Sequence, residues 1–263
     1  MSLNNGQFIY DPYPVGLSQG VIEQNTYSEL VNNFPNKSLF LSRGHYGNKL
    51  SLSETDNGDT FFKFIKETPV YRRFYDETKK PDFIKNVITY LNNHHIDLST
   101  RYRKYMDLNK FHTLYPIRRT YLNLLNKLGT SHHLNTKFEF SMLPLDGGHI
   151  LPHTDSPQKI ITLVLSIVDE NEIFDDQTGG GTCVMRPKDI TKNYNELNKW
   201  SKFEDNEIIH TFPFNPNQCV IFVKTFNSLH AVEPMKLSGS NRYRKSITIN
   251  IENVQKFYGS RTY

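Results

Sequence analysis

The chain has 263 residues, 37% of them hydrophobic, with 31 basic against 27 acidic side chains and a formal net charge of +4. That is enough apolar material for a substantial core in one large domain or two small ones. The longest apolar stretch, Ile160 to Val168, is far below the roughly 20 residues a bilayer needs, so no membrane partner is expected. The opening "MSLNNGQFIYDPYP" lacks a basic region followed by an apolar one, so no signal peptide is expected either. Cys183 and Cys219 sit inside apparent strands with no spacing pattern, which reads as two buried reduced thiols in a cytoplasmic protein.

Taken in chain order, the first half reads as helical. The spacing of Thr26 and Glu29 predicts a capping box opening a helix over 25–35, with Pro35 as its stop. Residues 58–78 read as two helical pieces divided at Pro69. Residues 81–95 open with Pro81 and place Phe83, Ile84, Val87, Ile88 and Leu91 on one helical face. A poorer helix over 117–129 ends at Gly129.

From Thr136 the period changes. Residues 137–143 alternate, with Phe138, Phe140 and Met142 on one face. Further strands are predicted over 159–168, over 179–187 after a run of glycines, and over 218–225 and 244–252. The polar, irregular stretch 188–208, which carries the lone Trp200, reads as an inserted loop or lid. No internal repeat or low-complexity linker interrupts the chain. The expectation is a single domain over 1–263. Its parts are mainly helical support at 1–135, a β core at 136–252 and a C-terminal tail at 253–263. The class is α+β with a mainly β core, an antiparallel sandwich or small barrel buttressed by N-terminal helices.

Chemistry is concentrated in "HILPHTDSPQKIITLVLSIV", residues 149–168. In an extended chain His153 and Asp155 project to the same face at the mouth of a buried strand. A neutral imidazole beside a carboxylate is half a site for a borderline divalent metal, and equally an ordinary hydrogen-bonded surface pair. A third donor, His230, follows the apolar strand at 218–225. Two histidines and one carboxylate form the facial set of non-haem iron oxygenases, although zinc hydrolases use similar atoms. Arg244 heads the last predicted strand, with Ser246 and Thr248 on its face. A guanidinium there can hold a carboxylate through two parallel hydrogen bonds, or simply point into solvent.

The segments "LPHTDSPQKIITLVLSIV", "TGGGTCVMRP", "FPFNPNQCVIFVKTFNSLHAVEP" and "RKSITINI" resemble the Fe(II)- and 2-oxoglutarate-dependent oxygenases, in their prolyl-4-hydroxylase-like branch. Order and spacing agree from about 137 to 252. A less specific likeness extends to "VIEQNTYSELVNNFP" and "FFKFIKETPVYRRFY". The resemblance implies a double-stranded β-helix, or jelly roll (cupin-like), with iron near one open end. It carries the ligand and catalytic roles onto His153, Asp155 and His230, and the 2-oxoglutarate salt bridge onto Arg244. Thr248 and, less directly, Thr162 are implied cosubstrate contacts, and Arg242 is the alternative anchor.

The implied cofactors are Fe(II), 2-oxoglutarate, O2 and ascorbate as reductant, with succinate and CO2 as coproducts. The implied reaction hydroxylates a C–H bond, with a peptidyl proline or other protein side chain as the leading substrate and a small molecule also open. Two family features are missing. A tyrosine that often holds 2-oxoglutarate is replaced by Ser166, and another is absent from "SMLPLDGG" at 141–148.

Two other readings stand beside this one. Basic-aromatic clusters at 71–75, 101–105 and 241–245 are compatible with nucleic acid and an oxidative demethylase, or with solvated faces whose stems cover rings. A non-catalytic jelly-roll binding module would have no reason to hold His153, Asp155, His230 and Arg244 together. Among the remaining histidines, His149 reads as a pocket wall, and the pairs His94–His95 and His132–His133 as exposed.

Overall fold

The computed structural model describes residues 1–4, 6–43, 47–98, 134–169, 174 and 178–253. The expected helix over 117–129, the cluster at 101–105, the pair His132–His133 and the tail from 254 onward lie outside these residues.

Two antiparallel sheets face one another. The strands are β1 (Gln7–Ile9), β2 (Val15–Gln19), β3 (Leu41–Arg43), β4 (Lys49–Ser53), β5 (Leu134–Pro144), β6 (Ile150–His153), β7 (Lys159–Ser166), β8 (Thr182–Pro187), β9 (Asn206–Phe212), β10 (Gln218–Val223), β11 (His230–Val232) and β12 (Tyr243–Asn253). The large sheet runs β1-β2-β10-β7-β12-β5-β4-β3 and the small one β6-β11-β8-β9. The result is a double-stranded β-helix: an α+β fold with a mainly β core.

Strand alternation builds its two faces. Leu163 and Leu165 of β7, Ile247, Ile249 and Ile251 of β12, Phe138 and Phe140 of β5, and Cys219 and Ile221 of β10 are buried in one cluster with the helices. The alternate residues, among them Thr162, Val164, Phe222, Arg244, Ser246 and Thr248, line the space between the sheets. A period of two on a sheet covered on both sides produces this division. Both cysteines are free and buried.

Among the described residues, four α-helices cover the outer face: α1 (Gln24–Asn32), α2 (Gly58–Glu67), α3 (Pro69–Thr78) and α4 (Pro81–Asn93). The break at Pro69 and the start at Pro81 occur as the sequence predicts, each proline entering where its missing N–H costs least. The cap of α1 differs from the expectation. Glu23, not Thr26, caps it, its carboxylate accepting from the Asn25 and Thr26 amides at 3.0 and 2.9 Å. On α4 the buried set is Ile84, Val87, Ile88, Tyr90 and Leu91, with Phe83 only partly covered. Within its described residues the first half also contributes β1 to β4, which the sequence reading did not include and which extend the large sheet at both edges.

Candidate metal centre

His153 closes β6 and His230 opens β11, and the two are direct partners across the antiparallel pair. Their rings lie 4.3 Å apart. Asp155 does not reach them in the way an extended chain would. The strand stops at His153, and Asp155 takes φ +70°, in the left-handed region. Aspartate tolerates that conformation better than most residues. Its carboxylate is 5% exposed, with Oδ1 3.8 Å from His153 Nε2 and Oδ2 3.9 Å from His230 Nε2. One donor atom from each residue lies within 4.8 Å of the others.

The far side of each imidazole is occupied by backbone. His153 Nδ1 lies 2.8 Å from the Leu151 carbonyl oxygen and His230 Nδ1 2.9 Å from that of Ser228. A carbonyl only accepts, so Nδ1 carries the proton in both rings and each Nε2 presents a lone pair to the centre. Burial, reinforced by His230, pushes His153 down to about 3, and burial likewise lowers His230. Both rings are therefore neutral, as metal ligands must be.

Burial alone would raise the Asp155 carboxyl, but the Lys159 ammonium beside it holds it far below the usual range. Lys159 Nζ donates to Oδ1 at 2.6 Å, and the Thr162 hydroxyl donates to Oδ2 at 2.9 Å. Asn250 Oδ1 is also 3.0 Å from that hydroxyl. A half-turn of the Asn250 amide would present its NH2 group instead and leave the Thr162 proton to Asp155.

Aromatic walls enclose the group. Trp200 stacks on His153 at 4.6 Å and 6° between planes, and the Phe222 ring lies 4.2 Å from that of His230. The segment 188–208, expected as a loop or lid, thus supplies Trp200 to the site and ends in β9.

A cavity of about 100 Å³ between the sheets is lined by His153, Asp155, Thr162, His230, Arg244 and Thr248. Arg244 is 3% exposed; its Nε donates to the Gly180 carbonyl at 2.6 Å, and its guanidinium carbon lies 3.8 Å from the Phe214 ring centre. Gly180 takes φ +94°, and a Cβ there would stand 3.1 Å from Phe174 and 3.5 Å from the Arg244 stem. Burial lowers the guanidinium to about 9, which still leaves it charged at neutral pH. Among the described residues no carboxylate pairs with it. Arg242 is exposed, precedes β12 and lines neither this cavity nor the cleft beside it.

Other assignments come out differently. Thr162 reaches the Asp155 carboxylate rather than standing free for a cosubstrate. Ser166 turns its hydroxyl to the Asn215 and Gln218 carbonyls, outside the cavity. His149 lines neither the cavity between the sheets nor the cleft beside it; its Nδ1 is 2.9 Å from the Gly147 carbonyl, and its ring meets Phe203 edge-on. His94 is packed against Phe8 and Tyr90, while His95 is exposed. The sequence reading missed Lys159 and Phe222. A lysine heading an otherwise apolar strand was the available signal for the first; nothing distinguishes Phe222 from core residues.

No protein-family model and no curated protein sequence matches the chain. Among solved structures it is similar to a prolyl-4-hydroxylase from Pseudomonas putida, at TM-score 0.44 and 11% identity over 92% of this chain and 94% of that one. It is also similar to a prolyl hydroxylase from Trichoplax adhaerens in complex with a hypoxia inducible factor peptide, at TM-score 0.45 and 11% identity over 91% and 83%. A third is SnoN, the non-haem α-ketoglutarate-dependent epimerase of nogalamycin biosynthesis, at TM-score 0.45 and 11% identity over 90% and 76%. At this identity and these scores these are resemblances of chain path, and the chemistry of the site rests on the distances above.

Proposed function

We propose that this chain is an Fe(II)- and 2-oxoglutarate-dependent oxygenase that hydroxylates a C–H bond of a protein, peptide or small-molecule substrate. The observation that carries the reading is the convergence of two neutral imidazole Nε2 atoms and one ionised carboxylate at a single point. Their remaining polar atoms are already engaged by Leu151, Ser228, Thr162 and Lys159. Such a donor set suits a borderline divalent metal and leaves coordination positions for other ligands. The buried, carboxylate-free guanidinium of Arg244 in the same cavity suits one end of a dicarboxylate.

When bound, iron and 2-oxoglutarate would supply the oxidising power, with O2 consumed and succinate and CO2 released. The chain's own residues do the rest. His153, Asp155 and His230 would hold the metal, and Thr162 would keep the Asp155 carboxylate in place. Arg244 would orient the cosubstrate by its distal carboxylate, beside the Thr248 hydroxyl. Trp200 and Phe222 keep water from the two imidazoles.

The nucleic-acid reading loses support at 71–75, where Tyr71 and Phe74 are buried in the core and Arg73 pairs with Glu29 at 3.1 Å. Those rings cannot stack on bases.

The test is turnover without a known substrate. Supplied with Fe(II), ascorbate and O2, the wild type should slowly convert 2-oxoglutarate to succinate, and Asp155→Ala should not. Equal succinate from the two proteins, above a protein-free blank, would contradict the reading.

A further inference from the structure

Beside the metal centre lies a cleft of about 270 Å³ whose lining includes Arg43, Lys49, Asp56, Glu139, Lys159 and Trp200. Its charges are paired: Arg43 with Asp56 at 2.5 Å, Lys49 with Glu139 at 2.6 Å and Lys159 with Asp155 at 2.6 Å. Glu139 also accepts from the hydroxyls of Ser51 and Ser141 at 3.0 and 3.1 Å. The third pair differs, because Asp155 also belongs to the His-Asp-His group.

Consider the charges with the site loaded as proposed. A divalent metal takes Asp155 and one end of 2-oxoglutarate, and Arg244 takes the other end. Among the described cations lining the cleft, Lys159 is then the one whose ion-pair carboxylate is shared with the metal. Glu139 is ion-paired with Lys49, and Glu252, the cross-strand neighbour of Lys159, lies in the field of both Lys137 and Lys159; both carboxylates attract Lys159, and neither forms an ion pair with it. The Lys159 side chain is only 21% exposed and lines both the cavity and the cleft. A partly buried ammonium in that position favours an anionic partner. Next to it stands Trp200, stacked on His153 yet 37% exposed, which offers a flat apolar surface.

Resting on the proposed function, we infer that the substrate carries a carboxylate, that Lys159 is its receptor, and that Trp200 covers the adjoining apolar part. Metal loading makes the site by relieving Lys159 of Asp155. Without metal, Lys159 neutralises a buried carboxylate, and each described cation lining the cleft is paired with a carboxylate.

Benzoate and benzamide test this, since they share a ring and shape and differ in charge. The protein is loaded with Zn(II), which supports no turnover, and saturated with 2-oxoglutarate; calorimetry follows both bindings. Ligand-observed NMR then follows each probe. Benzoate should bind wild type at least about tenfold more tightly than benzamide, the scale of one charge-assisted contact. That preference should vanish in Lys159→Met, and in Lys159→Gln, which keeps a hydrogen bond to Asp155 if the methionine variant does not fold. Zinc affinity in the folded variant should fall by no more than about 100-fold, the range for a lost partner of a metal-ligating group. Loss of zinc binding beyond that would make Lys159 a positioning residue for Asp155 and overturn the inference. No preference for benzoate in wild type, or one that survives the variant, would overturn it while leaving the oxygenase reading intact. Failure of zinc or 2-oxoglutarate to bind wild type would sink both.

Discussion

Asp155 holds its carboxylate among two imidazoles, an ammonium and a hydroxyl, and only the hydroxyl of Thr162 fixes Oδ2 from the sheet behind it. Thr162→Val keeps the shape and removes that donor. Zn(II) affinity measured by calorimetry should fall by roughly 10- to 100-fold, as for other partners of metal-ligating groups. Arg244 and Arg242 separate in the same way. Arg244→Lys keeps the charge and loses the planar fork, so 2-oxoglutarate should bind the zinc-loaded protein more weakly by about 1.5–3 kcal/mol. Arg242→Lys, at an exposed residue outside the cavity, should leave that affinity unchanged. The donor types and their order were legible in the sequence, because few arrangements put His153, Asp155, His230 and Arg244 at strand ends. The left-handed turn at Asp155 was not, since a single φ value leaves no periodic trace. Nor was the use of Thr162, whose hydroxyl meets Asp155 through the irregular turn between β6 and β7.

β12 shows how one element serves both faces. Arg244, Ser246 and Thr248 point between the sheets, and Ile247, Ile249 and Ile251 point to the helices. Ile249→Ala removes a fully buried side chain from the helix-facing core, so denaturant unfolding should show a loss of about 2–5 kcal/mol. In buffer below its melting temperature the same variant should bind 2-oxoglutarate as wild type does, because the cavity face is untouched. A matching fall in both quantities would mean that the two faces are not independent. Alternation over β5 and β12 and near-continuous apolar runs over β7 and β10 made these strands readable. The three-residue strands β1, β3 and β11 and the four-residue β6 are too short to carry a period, and pairing with longer neighbours is what makes them strands. The α1 cap misled for a related reason. Thr26 and Glu29 have capping-box spacing, but Glu23, one residue before the helix, reaches two amides first.

At the scale of the molecule, the cleft beside the metal centre makes stability depend on acid. Burial would raise Glu139, yet Lys49 at 2.6 Å and Lys159 bring it to about 2, below the ordinary 4.5. A depressed carboxyl contributes stability above the unfolded value, and that contribution is lost as pH falls from about 4.5 towards 2. The shift corresponds to at most about 3 kcal/mol, and less in fact because a fifth of the side chain meets solvent. Glu139→Gln in chelator-treated protein should therefore flatten the fall of Tm between pH 5 and 3; an unchanged slope would show that the pair contributes little. The central claim is that His153, Asp155 and His230 hold one Fe(II) to which 2-oxoglutarate then binds. Anaerobic visible spectroscopy of the iron-loaded protein tests it most directly. Adding 2-oxoglutarate should raise a metal-to-ligand charge-transfer band in wild type and none in Asp155→Ala. Iron-loaded wild type that gives no band at saturating 2-oxoglutarate, or an Asp155→Ala variant that gives the same band, would contradict the account.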